Sequence, residues 1–104
     1  MIKLKEGVDV RGLHPKLWDA IYTIKPFFDN QNVDLVITSG LDGQHSYGSL
    51  HYSGMAIDIR IRNIRHVKEL SNLIKDILPS AYDVVLEETH LHIELQPKNQ
   101  MERI

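Results

Sequence analysis

Three of the six histidines in this 104-residue chain stand where strand geometry would let them act together with a carboxylate. In His90-Leu91-His92-Ile93-Glu94-Leu95 polar and apolar residues alternate strictly. In a strand this puts His90, His92 and Glu94 on one side and Leu91, Ile93 and Leu95 on the other. In Gly54-Met55-Ala56-Ile57-Asp58-Ile59 the same period places Asp58 on a face with Gly54 and Ala56. Two minimal side chains leave room beside that carboxylate for a metal and a substrate. His51 lies an odd number of residues before Asp58, which would send the two to opposite faces of a straight strand. A bend is therefore required, and Tyr52-Ser53-Gly54 supplies a glycine for it. Two imidazoles and one carboxylate with a fourth position open suffice for a catalytic zinc, which brings the pKa of water to roughly 7.

The stretch Ser49-Leu50-His51-Tyr52-Ser53-Gly54-Met55-Ala56-Ile57-Asp58 resembles the Ser-x-His-x-x-Gly-x-Ala-x-Asp signature of the zinc D-Ala-D-Ala carboxypeptidases and dipeptidases. That family includes phage L-alanyl-D-glutamate endolysins. Glu87-Glu88-Thr89-His90-Leu91-His92 resembles its second motif, a His-x-His strand preceded by a polar residue. The likeness spans roughly Val33 to Leu95. It implies zinc held by His51, Asp58 and His92, with His90 as an active-site group near the metal and Glu87 as a polar position lining the site. Ser49 would help hold the substrate, a peptidoglycan stem peptide, and the fold would be of the hedgehog/DD-peptidase type. Glu87, Glu88 or His90 would move the proton.

The chain departs from the family at Ser39-Gly40-Leu41-Asp42-Gly43-Gln44-His45, where many relatives carry an Arg that grips a substrate carboxylate. Its absence favours an endopeptidase over an enzyme that reads a free terminal D-Ala. The expected function is zinc-dependent hydrolysis of a peptide bond in the wall stem peptide, as a phage or prophage lysin acting as a monomer. The alternative is a noncatalytic zinc-containing binding module, or a virion component using the same cleft.

Each residue also has a plainer role to weigh. His51 with Asp58 could be a buried hydrogen-bonded pair, and His90 with His92 two half-exposed side chains on a sheet. Glu87 could be a solvated strand end, Glu94 structural and Ser49 a turn residue. His14, His45 and His66 read as surface or loop residues, with His45 in the loop that should border the site. The spacing of both motifs together favours the metal reading.

Composition narrows the partners. Twelve Lys and Arg against fourteen Asp and Glu give a formal charge of -2, without the basic excess that phosphate binding requires, so nucleic acid is not expected. With no cysteine, a transition metal must use imidazole and carboxylate. Met1 to Glu6 lacks the apolar stretch of a secretory signal, and no run approaches membrane-spanning length. The expectation is one domain over residues 1–104, in the host cytoplasm with release to the wall, or in the virion.

The elements that must position these residues are readable in outline. Leu17, Trp18, Ile21, Ile24 and Phe28 recur at helical spacing, predicting a helix from Pro15 to about Asn30, kinked or ended near Lys25 by Pro26. Val33 to Thr38 and Met55 to Ile61 predict strands. Asn63 is placed to cap a helix carrying Ile64, Val67, Leu70, Ile74 and Ile77, stopped by Pro79. Tyr82 to Glu87 and His90 to Leu95 are at hairpin spacing. Two helices and about four strands predict an α+β domain with a small, largely antiparallel sheet flanked by helices.

Overall fold

The computed structural model describes residues 1–42 and 50–96. In chain order its elements are β1 (Ile2–Leu4), α1 (Pro15–Asn30), β2 (Leu35–Ser39), β3 (Ala56–Arg60), α2 (Val67–Ile77), β4 (Tyr82–Leu86) and β5 (His90–Leu95). The strands form one sheet in the order β1-β2-β3-β5-β4, and the fold is α+β.

α1 starts where His14 Nδ1 accepts the Lys16 amide at 3.1 Å, with Pro15 in the first turn. Its periodic residues Leu17, Ala20, Ile21, Ile24 and Phe28 are all buried. The helix runs from Pro15 to Asn30 as predicted, and Pro26 does not end it. Pro26 and Tyr22 both lie on the exposed side, so the Tyr22 carbonyl that loses its amide donor is open to water.

The second helix begins later than predicted. Asn63 does not cap it and Ile64 is outside it. The Ile64 amide instead closes a turn on the Ile61 carbonyl at 2.9 Å. Gln31 then clamps the next residue, donating to the Arg65 carbonyl at 3.0 Å and accepting the Arg65 amide at 2.8 Å. With those groups satisfied by α1's C-terminal end, the helix starts only after His66, which is left-handed at φ 55°. At the other end Leu78 is already extended, as the residue before Pro79 should be.

β1 was not anticipated, because three residues are too short for an alternation signal. It pairs parallel with β2, Ile2 against Leu35 and Leu4 against Ile37. The other three pairings are antiparallel, so the sheet is mixed. β4 and β5 form the expected hairpin, closed by the Glu87 amide on the His90 carbonyl at 2.9 Å.

One face of the sheet is the core. Leu35, Ile37, Ile57, Ile59, Val84, Leu91, Ile93 and Leu95 join the apolar stripes of both helices in a single cluster. Because strand residues alternate, Asp58, Arg60, His90, His92 and Glu94 are turned to the opposite face. No helix among the described residues is long and apolar enough to cross a membrane.

Candidate metal centre

Antiparallel pairing of β3 with β5 sets Asp58 directly opposite His92, Arg60 opposite His90 and Ala56 opposite Glu94. Opposed residues of neighbouring strands share a face, so this register alone gathers a carboxylate and two imidazoles. Ala56 is fully buried.

The bend that brings in His51 lies where the sequence asked for it. The Met55 amide bonds the Leu50 carbonyl at 2.9 Å, and the Gly54 amide bonds the His51 carbonyl at 3.1 Å. Gly54 is left-handed, at φ 75°, and a Cβ there would overlap the Gly12 carbonyl, so both conformation and space require glycine. The turn buries His51 to 4% exposure beside Asp58, which is itself only 8% exposed.

Each imidazole is anchored through one nitrogen and presents the other to Asp58. His51 Nδ1 lies 2.9 Å from the Gly40 carbonyl. A carbonyl only accepts, so Nδ1 donates to it, and Nε2 faces Asp58 Oδ1 at 3.4 Å. His92 Nε2 lies 2.7 Å from Glu94 Oε1, and its Nδ1 lies 2.9 Å from Asp58 Oδ1. Glu94 is held in turn by the Gln96 side-chain amide. Gly40 is fixed through Asp42, whose Oδ1 accepts the Gly40 amide at 2.9 Å and the Asp9 amide at 2.8 Å.

Electrostatics follow from this packing. Burial pushes the Asp58 carboxyl upward, but hydrogen bonds from His51 and His92, with the charge of nearby His90, outweigh it and hold Asp58 well below the usual carboxylate range. The hydrogen bond to Asp58, opposed by burial and reinforced by Glu94, pushes His92 up to about 9.

One atom from each of His51, Asp58 and His92 falls within 4.8 Å of the others, a set able to hold a metal ion. Ligands about 2.0–2.2 Å from a tetrahedral zinc stand roughly 3.3–3.6 Å apart. The 3.4 Å from His51 to Asp58 already meets that spacing, and the 2.9 Å from His92 to Asp58 needs only a small opening. Imidazoles whose far nitrogens are bonded to a carbonyl and a carboxylate are the usual support of metal-binding histidines. These residues fit a divalent ion of the zinc type.

The remaining predicted positions fall out as follows. His90 is partly exposed, with Nε2 3.7 Å from Asp58 Oδ1 and Nδ1 3.0 Å from Thr89 Oγ1. Glu87 is exposed just beyond β4 and meets His90 through its backbone, and Glu88 is exposed in the hairpin loop. Ser49 and His45 lie outside the described residues. His14 and His66 serve at helix starts and are not among the residues gathered at the centre. Glu94, placed by the sequence on the face of His90 and His92 with a structural role as one alternative, is the support of His92. Its position two residues after His92 on the same strand face was the available signal. The roles of Gly40 and Asp42 had no such signal, since they depend on contacts with segments distant in the chain.

No protein-family model matches the chain, and no curated protein matches it significantly.

Proposed function

We propose that the protein is a zinc-dependent hydrolase of a peptide bond in bacterial peptidoglycan stem peptides, of the L-alanyl-D-glutamate endopeptidase or DD-carboxypeptidase type. A phage or prophage lysin is the setting that suits it. The observation that carries the reading is the convergence of His51, Asp58 and His92, each imidazole oriented by its own partner, on the face of the sheet opposite the helix-covered core. The two sequence motifs contribute these same residues, which is why wall peptides are the substrate class proposed.

A bound zinc ion would polarise the scissile carbonyl and acidify water. The chain's own part is to place and move the proton. His90 Nε2 stands 3.7 Å from Asp58 Oδ1, outside the ligand set, and suits a base that takes the proton from attacking water and returns it to the leaving amine. Thr89 orients it through Nδ1. Glu87, across the hairpin, is the second candidate for that proton.

The test is mass spectrometry of fragments released from purified muropeptides by the zinc-loaded protein and by His51→Ala. Metal-dependent release by the first and none by the second is expected, and it would name the bond. Normal zinc binding with no cleavage of any wall peptide would overturn the hydrolase reading in favour of a noncatalytic binding module.

A further inference from the structure

A second feature of the open face lies further along the strand that carries Asp58. Arg60 follows Asp58 by two residues on β3, so its side chain leaves the same face about 7 Å further along. It is paired in register with His90. The Arg60 side chain is half-buried, yet among the described residues it has no hydrogen bond or ion pair. A cleft of about 280 Å³ opens beside it, lined also by Lys3, Asn32, Asp34, Val36 and Asn63. Lys3 Nζ is 2.8 Å from Asp34 Oδ2, so Asp34 is already engaged at the far side of the cleft and the Arg60 charge is left over.

A guanidinium without a counter-ion at the wall of a cleft is available to an anion, and its planar fork matches a carboxylate through two parallel hydrogen bonds. The asparagine side chains offer further donors. Phosphate recognition would call for a broader basic surface than this chain of net charge -2 has.

We propose that the Arg60 cleft is a carboxylate subsite on the same sheet face as the metal centre, binding an acidic group on the residue next to the scissile bond. This rests on the peptidase reading above. Two wall bonds offer that chemistry: the α-carboxylate of D-glutamate after L-alanine, and the free terminus of D-alanyl-D-alanine. The subsite would supply from β3 the anion recognition missing from the loop before the first motif.

The experiment uses zinc-loaded wild-type protein, Arg60→Gln and Arg60→Lys, each checked for full zinc content. Binding is measured by calorimetry to uncleavable ketomethylene isosteres of both bonds, each as the acid and as the carboxamide. Wild-type protein should favour the acid by about tenfold to a hundredfold in at least one pair, which identifies the source. Arg60→Gln should bring that ratio close to one, and Arg60→Lys should keep part of it. Equal affinity for acid and amide in wild-type protein, no binding of either, or a ratio unchanged in Arg60→Gln overturns the subsite. Cleavage of the parent peptides, followed in parallel, separates the two claims. An Arg60-dependent preference without cleavage keeps the subsite and removes the hydrolase, whereas cleavage without preference does the reverse.

Discussion

His92 takes part in two relationships with opposite demands, and both can be measured. Its pKa, raised to about 9, means that the metal-free chain keeps this imidazole protonated at pH 7.5, whereas coordination requires it neutral. Zinc uptake at pH 7.5 should therefore release about one proton from this group, and the release should fade as the pH rises beyond 9. Calorimetry in buffers of different ionisation heat reads this directly, and an enthalpy independent of buffer would contradict it. Glu94→Gln keeps the shape but removes the charge behind His92 Nε2, so zinc affinity should fall about 10- to 100-fold in a competition titration. His90→Gln should leave zinc content intact while lowering the turnover of a wall peptide by about 10²- to 10⁴-fold. Loss of zinc in that variant would instead make His90 a ligand.

The turn before β3 is the element on which the centre most depends, because it alone converts an odd spacing into a shared face. Gly54→Ala meets both the left-handed conformation and the Gly12 carbonyl, and should cost about 1–3 kcal/mol in urea unfolding. It should weaken zinc binding as well, since His51 is carried by the same turn. This part of the architecture was legible in the sequence: the parity of His51 and Asp58 demanded a bend, and Gly54 was the residue to make it. The alternation in β5 likewise gave the faces of His90, His92 and Glu94 correctly. What could not be read depended on partners far along the chain. Gln31 holds Arg65 and so delays α2, water on the exposed side tolerates Pro26, and β1 exists because β2 offers it an edge. The support of His51 by Gly40 has the same origin, in a bulge where β2 slips register against β3 between Ile37 and Ser39.

Across the whole molecule the sheet separates two tasks, with both helices packed on one face and the ligand set on the other. Ile93, fully buried at the centre of the core face, stands between His92 and Glu94 in sequence. Ile93→Ala should cost about 2–5 kcal/mol, read as a lower urea midpoint with an unchanged slope, because it opens a cavity in the helix-covered layer. Adequate zinc should recover part of that loss, as any ligand that binds only the folded state must.

The ion would also tie together parts of the chain that differ in mechanical character. Asp58 and His92 belong to neighbouring central strands, whereas His51 rides on a turn whose Tyr52 and Ser53 are exposed. Coordination would thus rivet a surface corner to a rigid plate. Amide hydrogen exchange over 50–55 should slow markedly on loading, while β3 and β5, already laddered on both sides, should change little, so the corner itself reports occupancy.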